Sequence, residues 1–190
     1  NKLYPRLLGE NATAEQRLEL NAYLLAGLTE FWRAHRQYAA VLHFVYLTMS
    51  DPKGFTCDHF RDVEKLELDP YFADYMGQAF RPLGVYINFF QPQLAAGASH
   101  DFTVMMVNDD SEPARGSFVL SLENEKGETI ARKAVPFEVG ALGQQTLFVS
   151  LDVPSSGGKC LLKGTAVPEG TRHQGPTVSR RKVEVTEPRP

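Results

Sequence analysis

Apolar residues recur at helical spacing early in the chain and at roughly every second position later, with the change of period near Arg81. Upstream, Asn11-Ala12-Thr13-Ala14-Glu15-Gln16 holds a capping-box pattern, in which the Thr13 hydroxyl accepts from the Gln16 amide and the Gln16 side chain returns to Thr13. The helix started there is expected to run to about His35. Leu18, Ala22, Leu25 and Trp32, joined by Leu24, Leu28 and Phe31, form its apolar stripe, while Glu15, Arg17, Glu30 and Arg33 are placed mainly away from it.

Residues 38–47 then read Y-A-A-V-L-H-F-V-Y-L before the turn formers of 48–54. A continuous β-branched and aromatic run directly after a helix predicts a parallel strand buried on both faces. Such a strand needs neighbours, and none is visible before Asn11 in this sequence; the expectation is therefore a fragment of a larger α/β domain. Asp69-Pro70 starts a second helix, expected over about 70–80, which Arg81-Pro82 ends.

From Leu83 the two-residue alternation predicts strands over 83–90, 101–108, 116–124, 129–139, 145–153, 159–167 and 178–186, separated by turn-rich stretches. Their spacing predicts an α+β chain: residues 1–82 supply helices and one buried strand, and residues 83–190 a seven-stranded immunoglobulin-like antiparallel β-sandwich. Phe118, Leu120 and Leu122 are expected in its core, with Leu147, Val149 and Leu151.

Composition narrows the function classes. A formal charge of -3 and scattered basic residues leave no electrostatic footprint for nucleic acid. No stretch approaches the roughly 18 apolar residues needed to span a bilayer, so no membrane partner is expected. Cys57 and Cys160 have no zinc spacing and read as buried free thiols; no metal and no cofactor is expected. Asp109-Asp110 reads as a hairpin turn before a calcium site.

The order helix, A-A-V-L-H-F at 39–44, acidic loop, L-x-L-D-P at 66–70 and A-F-R-P-L-G-V at 79–85 resembles the end of the catalytic barrel of glycoside hydrolase family 2. That family includes β-galactosidases, β-mannosidases and β-glucuronidases. Its eighth barrel strand often reads like G-x-x-Y-W and leads through a Pro-containing helix to an immunoglobulin-like sandwich. The resemblance puts Phe44 where the family's strand-end aromatic stands, usually Trp, and His43 where Tyr is common. Phe44 is then a candidate to stack on a sugar face, with barrel core as the equal alternative. His43 fits a hydrogen-bonded core histidine better than a catalytic one. Asp51 and Asp58, with Asp62, follow the apolar strand on what would be the catalytic face of a barrel and are candidates for substrate contact, against the plainer reading of solvated loop acids.

A retaining glycosidase needs two carboxyl groups about 5–5.5 Å apart. In the resembled family both lie upstream of the helix that opens this sequence, and Glu10, the acid ahead of that helix, is not in similar surroundings. No catalytic residue is assigned, and the chain alone is expected to be inactive. Two functions follow. The first is a non-catalytic C-terminal part of a glycosidase, whose partners are the rest of the catalytic domain, with carbohydrate as a candidate ligand and self-association through uncovered apolar surface. The alternative is a stand-alone β-sandwich binding or adhesion module recognising carbohydrate or protein through the loop 168–176, with Arg172 and His173.

Overall fold

The computed structural model describes residues 3–37, 41, 50–51, 54–55, 59–155, 157–170 and 175–187. Helix α1 covers Leu3–Leu8 and α2 covers Ala14–Ala34. The capping box forms as the sequence predicts: Gln16 N–H donates to Thr13 Oγ1 at 3.2 Å, and Thr13 N–H donates to Gln16 Oε1 at 2.9 Å. Two short hairpins follow, β1 (Ser50–Asp51) with β2 (Gly54–Phe55), and β3 (Phe60–Asp62) with β4 (Glu67–Leu68). Helix α3, Pro70–Ala79, starts where expected: the Asp69 carboxylate accepts from the amides of Tyr71 and Phe72 at 2.9 and 3.1 Å, and Pro70 occupies a first-turn position where its missing N–H costs nothing. The apolar run 38–47 lies outside the described residues except for Val41.

The remainder is β-rich. Strands β5 (Leu83–Ile87), β6 (Gln93–Ala95), β7 (Ser99–Asn108), β8 (Ala114–Asn124), β9 (Thr129–Val139), β10 (Gln144–Asp152), β11 (Gly158–Pro168) and β12 (Thr177–Thr186) form a three-stranded sheet, β10-β7-β5, and a five-stranded sheet, β6-β12-β11-β8-β9. All pairings are antiparallel except β6 with β12. Each of the predicted segments holds a strand. The short β6, between Pro92 and Gly97, is an addition that too few residues announce in the sequence.

The two sheets share one core: Val85, Ile87, Phe102, Val104 and Val149 from the first meet Phe118, Leu120, Leu122, Leu162 and Val183 from the second. All the residues predicted for the core are buried in it except Leu147, which packs partly buried against it. Gly164 fits where it does because a Cβ there would lie 2.9 Å from the Phe118 ring and 3.1 Å from Ile87. The chain is thus mixed α+β, with a helical layer on a β-rich body.

That layer corrects one expectation. Ala22 of the expected stripe is buried, but Leu24, Leu28 and Trp32 are 40, 53 and 39% exposed, whereas Ala26, Gly27, Thr29, Ala34 and the charged Glu30, none of them assigned to the stripe, are buried. Small side chains let the helix lie close against its neighbours. Ala26 packs with Phe72, Met76 and Ala79 of α3, and Ala34 meets Tyr86 and Val107 on the outer face of the three-stranded sheet.

Candidate functional site at the junction of helix and sheets

Alternation along β12 turns Thr177, Ser179, Arg181, Val183 and Val185 inward. Arg181 is therefore carried into the interior by the same phase that buries the two valines, and it is only 2% exposed. Every part of its guanidinium is used. Nε and Nη2 donate to the Ile87 carbonyl at 3.1 and 2.8 Å, Nη1 donates to the Arg180 carbonyl at 2.7 Å, and Nη2 also meets Glu30 Oε2 at 2.9 Å. Ser179 Oγ donates to the same carboxylate oxygen at 2.7 Å. The rings of Phe90 and Tyr86 flank the cation at 4.5 and 5.5 Å, distances at which the ring quadrupole attracts it.

Burial pushes the Glu30 carboxyl above its ordinary range, and the opposing pull of Arg181, Ser179 and Arg180 offsets only part of this. A raised carboxyl beside a donor is often a catalytic acid. Here the space lined by Glu30, Arg33, Gly84 and Tyr86 is too small for a water molecule. The cluster joins α2 to β5 and β12.

A rim of exposed and half-exposed pairs surrounds this junction. Arg33 and Arg36 both bind Asp109, which follows β7, and Arg33 meets it at 2.6 Å. Arg33 also donates to the Ala79 carbonyl and, at 2.7 Å, to that of Arg81, neutralising the carbonyl end of α3. Gly84 leaves room for it, since a Cβ there would sit 3.1 Å from the guanidinium. Arg36 reaches Gly143 O at 2.9 Å. On the α3 side Arg180 pairs with Asp74 at 2.6 Å and lies over the Tyr75 ring, while Lys182 pairs with Glu19 at 2.7 Å. The Tyr75 hydroxyl is pushed up to about 12, first by burial and then by Glu19.

The residues singled out from sequence as substrate contacts fall mostly outside the description. Phe44, His43 and Asp58 lie outside the described residues, as do Cys57, Arg172 and His173; Asp51 is in β1, and its side chain is likewise outside the description. Asp62 closes a turn, accepting from the Glu64 and Lys65 amides and pairing with Lys65 at 2.7 Å. Asp109 is more than a turn residue, because it ties two arginines of the helical segment to the sheet. Cys160 is a buried free thiol.

Among the described residues the buried carboxylates are Glu30 and Asp69. One is held by Arg181, and the other caps α3 and meets Arg61 at 3.3 Å. Open grooves of about 410 Å³, beside Tyr4, Arg17 and Asn21, and about 500 Å³, beside Ser117, Pro136 and Glu169, do not draw on either carboxylate. Among the described residues no group of three or more His, Cys, Asp or Glu could hold a metal ion, and no helix is long and apolar enough to cross a membrane. Sequence reasoning missed Glu30 and Arg181 as a pair. The phase of Val183 and Val185 was the available signal for Arg181.

No family profile matches the chain, and no curated protein matches it. Among solved structures it is similar to a family 123 glycoside hydrolase from Clostridium perfringens, at 11% identity over 56% of this chain and 28% of that one, with a TM-score of 0.38. It is similar to a β-glucuronidase of glycoside hydrolase family 2 at 11% identity over 54% of this chain and 11% of that one, TM-score 0.37. A CARDB domain from Pyrococcus furiosus matches at 17% identity over 56% of this chain and 96% of that one, TM-score 0.41. The matches span 28% and 11% of the two enzymes, and likenesses this weak assign no activity.

Proposed function

We propose that this chain is a non-catalytic supporting module of a carbohydrate-hydrolysing enzyme related to glycoside hydrolase family 2. In this reading residues 83–190 form an immunoglobulin-like β-sandwich that holds residues 1–82, the closing part of a catalytic barrel, in a fixed position. The observation that carries it is the buried junction of Glu30, Ser179 and Arg181, which anchors α2 to the sheets, while the two buried carboxylates among the described residues, Glu30 and Asp69, are held by structural partners. The order of elements from the capped helix to the A-F-R-P-L-G-V phrase at 79–85 supports the same reading.

The test compares two proteins on a panel of aryl glycosides. The 190-residue chain should show no turnover. On this reading a longer reading frame should contain the sequence; its product should hydrolyse at least one substrate, and Arg181→Met in that product should lower the temperature at which activity is lost. Absence of barrel sequence upstream, or an inactive longer protein, overturns the proposal. Glycan binding by the isolated chain together with that absence would instead favour the adhesion module.

A further inference from the structure

The sandwich has two open sides, and they are treated differently. On one, α2 and α3 lie over β5 and β12. On the other, the edge strands β9 and β10 approach each other, with Glu138 N–H donating to Gln145 Oε1, and among the described residues no helix lies over them. Proteins usually guard such edges with charge, proline or shortness, because unpaired N–H and C=O groups are a template for another strand. Strand β9 is guarded, carrying Arg132, Lys133, Pro136 and Glu138. Strand β6 is only 3 residues long.

Strand β10 has none of these devices. Its 9 residues, QQTLFVSLD, contain no Lys, Arg or Pro and a single charge at the far end. It runs in unbroken register against β7, its sole partner strand among the described residues. Phe148 stands at its midpoint, 78% exposed, flanked on the outer face by the exposed Thr146 and Ser150. The Gln145 side chain is engaged at the turn, accepting from Glu138 N–H at 3.1 Å.

We propose that β10 is the interface for a second copy of this chain, paired antiparallel about a two-fold axis at Phe148. The strand is complementary to itself in that register. Phe148 faces the Phe148 of the other copy, Thr146 faces Ser150, Leu147 faces Val149, and Gln144 faces Asp152. Aromatic pairs, hydroxyl pairs and an amide against a carboxylate are each favourable across strands, and no like charges meet. Sliding the axis by two residues to Ser150 puts Phe148 opposite Asp152, so the register is specified. The three-stranded sheets of two copies merge into one continuous sheet across a closed, isologous contact. This inference is independent of the carbohydrate reading.

Sedimentation of the full chain over roughly a hundredfold range of concentration tests it. The wild type should pass from monomer to dimer. Phe148→Lys, at an exposed position, should keep the far-UV spectrum and weaken the dimer about tenfold or more. Leu28→Lys, on the exposed face of α2, should leave it unchanged. Under mild oxidation Phe148→Cys should crosslink across the axis, and Lys133→Cys on β9 should not. A wild type that stays monomeric overturns the proposal. So does a dimer that survives Phe148→Lys or is lost in Leu28→Lys, because assembly would then lie elsewhere.

Discussion

Replacing Arg181 by Met keeps most of the apolar stem and removes every hydrogen bond of the guanidinium. Glu30 then keeps Ser179 as its hydrogen-bond partner in a site with no room for water, and the Ile87 carbonyl loses both guanidinium donors and keeps the Phe89 N–H. Breaking a buried pair by removing one partner costs about 3–5 kcal/mol. That is a large share of the roughly 5–15 kcal/mol that holds a domain folded. At about 2–4 °C per kcal/mol for a chain of this size, the expected loss in Tm is roughly 6–20 °C. Removing the carboxylate too, in Glu30→Leu/Arg181→Met, should recover most of the loss, since a buried ion pair and an apolar pair of similar volume are often close in stability. Urea unfolding measures this with two probes: fluorescence of Trp32, the single tryptophan, reports on α2, and far-UV circular dichroism reports on the sheets. A single substitution costing under about 1 kcal/mol, or a double variant as unstable as the two single losses added, would refute the argument.

Other expectations follow from the same geometry. Because burial raises the Glu30 pKa above 4.5, the folded state is penalised for ionising it; the stability of wild type relative to Glu30→Gln should fall as pH rises from about 4.5 through the raised value, as denaturant midpoints across that window would show. Tyr75 should stay protonated to about pH 12, read as a late step in ultraviolet titration that disappears in Tyr75→Phe. Thr13→Ala should lose the hydroxyl that accepts from Gln16 N–H, while the residue 13 N–H still donates to Gln16 Oε1, and should cost about 1 kcal/mol in equilibrium unfolding. Gly164→Ala should cost roughly 1–3 kcal/mol, because its Cβ meets Phe118 and Ile87 between two packed sheets; an unchanged midpoint would show that the rings move aside.

Local signals were the readable ones. The Thr13 and Asp69 caps depend on neighbours within four residues, and the long strands of the body announce themselves by alternation between turn formers. What escaped were choices made by distant partners. The large residues Leu24, Leu28 and Trp32 suggested one face of α2, but the face that packs is the one whose small side chains allow close approach to α3 and Tyr86. Glu30 looks like a solvent residue until Arg181 is placed beside it, and nothing within a helical turn of Glu30 indicates this. Of the candidate site, only the backbone of Asp51 falls in the described residues, so the sugar-facing roles of Phe44, His43 and Asp58 rest on the sequence resemblance alone.

Glu30 and Arg181 stand 151 positions apart in the chain. A ribosome adding about 5–20 residues per second takes roughly 8–30 s to travel from one to the other. Throughout that interval the inner face of α2 exists without its counter-charge and without β12, so the helix cannot settle finally before the strand emerges. Final docking of α2 is therefore coupled to synthesis of β12, a strand made long after it.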